Sequence, residues 1–260
     1  MPELPEVEAA RRVIERATRG KEVASLRLVH PALERCMTPA ERAAVAGRRV
    51  MRVERRGKHQ LLHLDDGSVL HVHFRMAGDW AVGREDDPVP PHARALLSFR
   101  DGTRVALVDP RALCTVTLHE SAAAALPALG PEATDPALSA GALHAALARR
   151  RVAIKVALLD QRVVAGLGNI YAAEALWRAR IDPRTPASSI SRARLGRLID
   201  GMRATLDAAE RDPGRYGGRE SPARFQVYGR EGEPCPRCGA RIRRIVQGGR
   251  STYYCARCQR

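Results

Sequence analysis

The chain opens Met-Pro-Glu-Leu-Pro-Glu-Val-Glu and closes with two cysteine pairs, Cys235-Pro-Arg-Cys238 and Cys255-Ala-Arg-Cys258. At these two places residue type and spacing could do chemistry. Removal of Met1 would leave Pro2 as a free secondary amine. An α-amino group titrates near ~7.7, against ~10.4 for a lysine ammonium, so an appreciable fraction is nucleophilic at neutral pH. Attack by such an amine on a sugar C1′ gives an iminium ion, an electron sink that can expel a base and acidify the sugar. The chemistry also needs a proton donor. Glu3 is adjacent and Glu6 lies about one helical turn on. The same residues suit a plainer role, because Pro and Glu in a first helical turn are ordinary capping.

Sixteen residues separate the inner two cysteines, the spacing of a zinc ribbon with two knuckles and a hairpin between them. Four thiolates around one zinc leave no open position, so Cys235, Cys238, Cys255 and Cys258 would hold a structural ion that folds the tail and does no chemistry. The same four residues could form two disulfides in an oxidising compartment. Between the knuckles stand Arg241, Arg243, Arg244 and Arg250, with no acidic residue from Gly239 to Tyr254. Cys36 and Cys114 are left over and read as buried small apolar residues.

The elements that must position these groups follow from hydrophobic period. Val7, Ala10, Val13, Ile14 and Ala17 share one face and predict a helix over 5–18, with Gly20 as its stop. From 22 to 118 the pattern is of short strands: 23–29, 50–55, 60–64, 69–74, 95–99 and 105–108, with Asp66-Gly67 and Asp101-Gly102 as hairpin turns. Residues 120–139 are Ala- and Pro-rich and read as a linker. Leu143, Leu147, Ile154, Leu158 and Leu159 recur at helical intervals, and Ser191 can cap a helix carrying Leu195, Leu198, Ile199, Met202 and Leu206. The expected architecture is α+β and multidomain. A helix-fronted β-sandwich spans 1–119, a helical domain 140–224 and a zinc-ribbon hairpin 225–260.

Lys+Arg is 44 against Asp+Glu 29, a net charge of +15 with pI ≈ 10.6. This excess points to a polyanion partner, because Lys and Arg displace condensed counterions from phosphates. No apolar run approaches the ~18 residues of a membrane span. Acidic residues stand where a signal peptide would need positive charge. We therefore expect a cytoplasmic, nucleoid-associated protein that acts as a monomer.

Three motifs in order, the opening octapeptide, Gly166-Leu-Gly-Asn-Ile-Tyr-Ala-Ala-Glu174 and the four-cysteine tail, resemble the formamidopyrimidine-DNA glycosylase / endonuclease VIII family, closer to the formamidopyrimidine branch. The resemblance implies a bifunctional DNA glycosylase/AP lyase of base-excision repair acting by β,δ-elimination. It implies damaged double-stranded DNA as partner, a helix–two-turn–helix middle domain, one structural zinc ion and no redox cofactor. Position by position, Pro2 matches the Schiff-base nucleophile, Glu3 the acid that opens the deoxyribose ring, and Glu6 a supporting carboxylate. Lys58 matches a hairpin lysine at the damaged nucleotide's phosphates, and Asn169, Lys155 and Arg250 match phosphate contacts. His73 matches a histidine near the DNA backbone, or equally a core histidine. Met76 and Arg111 match two of three side chains that fill the gap left by a flipped lesion.

Two departures alter the expectation. Leu113 stands where the third filler is normally aromatic. Residues 211–224 are shorter than the family's lesion-covering segment and lack its Thr-Thr-Leu-x-Asp-Phe-like stretch, which predicts a broadened or shifted base preference. Competing readings are an AP lyase with little glycosylase activity, a non-catalytic damage-binding protein, and a zinc-ribbon transcription or ribosomal protein. The last accounts for the tail but not for Pro2 and Glu3.

Overall fold

A computed structural model describes residues 2–211 and 225–260. The chain forms two compact units, Met1–Pro127 and Ala128–Arg260.

The first unit begins with α1 (Leu4–Thr18). Leu4, Val7, Ala10 and Ile14 are buried, as the helical spacing predicts. Full burial of the three larger side chains contributes roughly 5–8 kcal/mol. Glu3 is the N-cap, and its backbone N–H donates to Glu6 Oε2 at 2.9 Å. Eight strands follow in two antiparallel sheets. One has the order β1 (Val23–Leu28), β6 (Ala93–Phe99), β7 (Thr103–Val108), β5 (Asp79–Arg84). The other has the order β2 (Val50–Arg56), β3 (His59–Leu64), β4 (Val69–His73), β8 (Thr115–His119). The Asp66-Gly67 and Asp101-Gly102 turns join β3 to β4 and β6 to β7, with both glycines at positive φ. Helix α1 packs on strands of both sheets. Trp80 Nε1 of β5 donates to Gln60 Oε1 of β3 at 2.9 Å, tying one sheet to the other.

Two strands, β5 and β8, go beyond the sequence expectation. So do two short helices, α2 (Pro31–Glu34) and α3 (Pro39–Val45). Helix α3 has a capping box, in which Thr38 Oγ1 accepts the Glu41 N–H and Glu41 Oε2 accepts the Thr38 N–H. Within the expected linker, Ala122–Ala125 forms α4, whose Ala125 joins a small core with Leu61 and Val69. The stretch after it is built onto the second unit. Gly130 N–H donates to Gln161 O, and Ala133 is fully buried.

The second unit contains α5 (Ala140–Leu147), α6 (Ile154–Leu158), α7 (Asn169–Arg178), a 3-10 turn (Ala187–Ser189) and α8 (Arg192–Arg211). The leucine series expected as one run is divided between α5 and α6. Ser191 Oγ accepts the Arg194 N–H at the start of α8, as expected of a cap. Strands β9 (Arg243–Gln247) and β10 (Arg250–Tyr254) form the ribbon hairpin. The ribbon shares a core with α7 through Ala173, Trp177, Val227, Cys235, Ile242 and Cys255.

Candidate active site

Strand pairing gathers three connections at one end of the β2–β3–β4–β8 sheet. Arg56 pairs with His59, His59 with His73, and His73 with Thr115. The β2–β3 turn carrying Lys58, the β4–β5 turn carrying Met76 and the β7–β8 loop carrying Arg111 and Leu113 therefore leave the sheet together. Helix α1 aims its N-terminus the same way. Arg11 Nη1 donates to Val53 O at 3.2 Å, and Arg55 Nε donates to Glu8 Oε2 at 3.0 Å. Moving toward the start of the helix thus follows β2 toward Gly57. Glu3 lies five residues beyond Glu8, about 8 Å of helical rise. Pro2 is buried, Glu3 is 1% exposed and Lys58 is 9% exposed. Glu6, by accepting the Glu3 N–H, fixes the backbone immediately after Pro2.

Met76 and Leu113 are large apolar side chains left 40% and 44% exposed, as groups that insert into a base stack must be. Each loop has a visible cause. In the β4–β5 turn, Gly78 allows close approach, since a Cβ there would stand 2.8 Å from the Phe74 backbone. In the β7–β8 loop the organiser is Asp109, which sequence reasoning missed. It is fully buried, and its carboxylate accepts N–H bonds from Arg111 (3.0 Å), Leu113 (2.7 Å) and Cys114 (2.8 Å). Asp109→Ala leaves these donors without their acceptor and should cost about 3 kcal/mol. An unchanged urea midpoint would exclude this role. Cys114 is buried as expected, and its thiol is pushed up to about 12, chiefly by that burial. Cys36 is only half-buried.

His73 lies in a histidine cluster on the same sheet. His59 Nδ1 and His71 Nε2 are 2.8 Å apart, and the His59 and His73 rings meet edge to face at 4.7 Å. Burial first, then neighbouring cations including Arg75, lowers His59 and His71 to about 4 and His73 to about 3. An unfolded histidine takes its proton near 6.5. The folded state refuses it, so this contribution to stability is complete above that pH and is lost as pH falls from about 6.5 toward 4. Stability should drop on the order of 3 kcal/mol between pH 7 and pH 5. Asp101 and Asp160, whose pKa values are lowered by Lys21 and Arg162 respectively, titrate below that window. Equal urea midpoints at the two pH values would refute the expectation.

In the second unit, Lys155 and Asn169 come together. Lys155, expected at a phosphate, has no exposed surface. Its ammonium donates to Asn169 Oδ1, with the Ser251 carbonyl at 3.5 Å. Asn169 Nδ2 donates to Ser251 O at 3.0 Å and to the Tyr228 hydroxyl at 3.4 Å. The first residue of α7 is therefore oriented by a buried cation and tied to the hairpin strand that starts at Arg250, itself exposed. The dipole of a helix start favours an anion there. Glu174, quoted earlier only as part of a motif, is 3% exposed. Its carboxylate accepts N–H bonds from Gln226, Val227 and Tyr228, each at 2.9 Å. Residues 212–224, where a shortened lesion-covering segment is expected, lie outside the described residues.

The four ribbon cysteines bring their Sγ atoms within 4.8 Å of one another. Cys235–Cys258 and Cys238–Cys255 are 3.9 and 3.5 Å apart. Tetrahedral zinc with Zn–S bonds of ~2.3 Å needs sulfurs roughly 3.8 Å apart, whereas a disulfide needs ~2.05 Å. The donor set fits one structural zinc ion and not two disulfides.

Comparison with known proteins matches three family models in order. These are the formamidopyrimidine-DNA glycosylase N-terminal domain over residues 1–116, its H2TH domain over 129–215, and a zinc finger found in FPG and IleRS over 232–260. The formamidopyrimidine-DNA glycosylase of Erythrobacter litoralis is 40% identical, with all of both chains covered. That of Moorella thermoacetica is 41% identical over 94% of each chain. Among solved structures, the Lactococcus lactis Fpg in complex with abasic-site DNA superposes with a TM-score of 0.90 at 31% identity, covering 99% of both chains. The same organism's protein with Fapy-dG-containing DNA gives 0.91 at 31% identity, over 99% of this chain and 100% of that one.

Proposed function

Because the chain belongs to the formamidopyrimidine-DNA glycosylase family, and is thus a zinc-containing DNA glycosylase/AP lyase of base-excision repair, we propose that Pro2 is its nucleophile and Glu3 its proton donor. The observation that carries this assignment is convergence. Pro2, Glu3, Lys58 and the loops bearing Met76, Arg111 and Leu113 all lie toward one end of one sheet.

The Pro2 nitrogen bonds to C1′ of the damaged nucleotide as the base leaves with its glycosidic electron pair, and the proton that the amine loses goes to the departing base. Glu3 then gives a proton to the ring oxygen as the C1′–O4′ bond breaks, leaving an open-chain iminium. That cation acidifies C2′, and loss of a C2′ proton expels the 3′ phosphate. A second elimination expels the 5′ phosphate, and water hydrolyses the imine to free Pro2. Once deprotonated, the Glu3 carboxylate sits at the positive end of α1, where the helix dipole stabilises it. Lys58 pairs with a phosphate at the lesion, and Met76, Arg111 and Leu113 occupy the space the lesion leaves. His73 lies near the same backbone. Asn169 and Arg250 bind phosphates, and Lys155 acts through Asn169. Among the described residues no helix is long and apolar enough to cross a membrane. The protein works on DNA in the cytoplasm.

Borohydride reduction on an abasic-site duplex tests the nucleophile. Wild type with Met1 removed should form an N-terminal adduct, and Pro2→Gly should form at least about tenfold less. An equal yield from both, or an adduct mapped to a lysine, would overturn the assignment. Release of free base from an intact damaged duplex separates a glycosylase from an AP lyase alone.

A further inference from the structure

Arg11 and Arg55, on α1 and β2, are paired with Glu8. A different set gathers at the knuckle end of the zinc ribbon. Arg180, Arg237, Arg257 and Arg260 line an open hollow of about 490 Å³ with Cys238 and Cys258. A second hollow of about 340 Å³ continues from Arg257 to Arg241 and Arg243. No Asp or Glu side chain lines either one, the carboxylate of Arg260 takes a hydrogen bond from Arg194, and among the described residues none of the first four arginine side chains has an ion-pair partner. Two of the four are held in place. Arg237 lies with Cζ 4.0 Å above the Trp177 ring and donates to the Trp177 carbonyl at 3.0 Å. Arg180 sits at φ +58, a left-handed conformation that costs a non-glycine residue about 1 kcal/mol.

A zinc ion with four thiolates carries two negative charges. Two guanidinium groups balance it and a third balances the Arg260 carboxylate, so the four leave a surplus of one positive charge, to which Arg241 and Arg243 of the second hollow add two. The hollow lies at the opposite end of β10 from Arg250, about 16 Å of strand away. We propose that it is a second phosphate site, which grips the phosphodiester backbone of DNA apart from the contacts at the hairpin tip. The proposal goes beyond the glycosylase reading but shares its DNA partner.

The test uses full-length, zinc-loaded protein and the double variant Arg180→Gln/Arg257→Gln. Binding is measured against salt on abasic-site duplexes of about one and about four helical turns. If the hollow holds the lesion duplex's own flank, the slope of log K against log salt falls by about 1.8 on the long duplex and not on the short one. If it holds a second segment, both slopes stay, and added undamaged duplex no longer speeds release of the bound one. Unchanged slopes with unchanged release would overturn the proposal. So would loss of zinc from the variant, which would assign these arginines to thiolate compensation. Single-turnover incision of the short duplex by wild type tests the glycosylase reading independently.

Discussion

Glu3→Gln should slow both base release and abasic-site cleavage by about 10²–10⁴-fold, the usual worth of a positioned general acid. Affinity for a duplex containing an uncleavable abasic analogue should change by less than about threefold. Gln keeps the shape of the side chain, and the N–H bond from residue 3 to Glu6 Oε2 belongs to the backbone, so helix α1 keeps its start. Only the acidic proton is lost. Glu6→Gln makes the contrast. Its amide oxygen can still accept the Glu3 N–H, so its cost should be small. Single-turnover kinetics of the two variants side by side decide the roles. A Glu3→Gln enzyme within about threefold of wild type would reduce Glu3 to a helix cap, and an equal loss at Glu6 would make that residue the donor.

Removing the zinc should have the largest effect on binding. Structural zinc in such modules contributes on the order of 10 kcal/mol to folding, and the ribbon's core is built around Cys235 and Cys255. Without the ion, four sulfurs packed within 4.8 Å lose their common partner. The hairpin then no longer presents the Ser251 carbonyl to Asn169, or Arg250 to the phosphate we assign to it. Chelation, or Cys258→Ser, should weaken abasic-duplex binding by about 100-fold or more as these phosphate contacts go. The chain's two tryptophans report the event separately. Trp177 donates to Cys235 Sγ and lies under Arg237, so its emission should shift. Trp80, bonded to Gln60 in the first unit, should keep its own. Zinc-free protein that still binds with full affinity would refute the dependence.

Helix α1 was legible because its apolar spacing is unbroken, and the zinc ligands because metal geometry imposes a sequence spacing. Helix α3 carried a readable signal in Thr38 and Glu41, three apart, which the surrounding strand pattern obscured. Asp109 and Glu174 were not legible in their roles. A buried carboxylate that accepts backbone N–H groups shows no periodicity, and Glu174 takes its donors from more than fifty residues away. Lys155 did leave a trace. Among 44 basic residues only Lys21, Lys58 and Lys155 are lysines. A compact ammonium surviving in an arginine-rich chain marks a place where a planar guanidinium does not serve. Lys155, with no exposed surface, shows why.

The carboxylate of Glu174 also fixes where the chain returns after α8. Helix α8 ends at Arg211, and the chain is pinned again at Gln226–Tyr228. Both anchor points rest on α7. One is Glu174 itself. Ten residues before its own end, α8 packs so closely on α7 that a Cβ on Gly201 would stand 2.9 Å from the Ala175 carbonyl. Lengthening a loop between fixed ends is cheap, about 0.6 kcal/mol for each doubling. A change of chain length between these anchors should therefore leave both of them in place. Pro2 and Glu3, the residues we assign to strand cutting, stand outside that span.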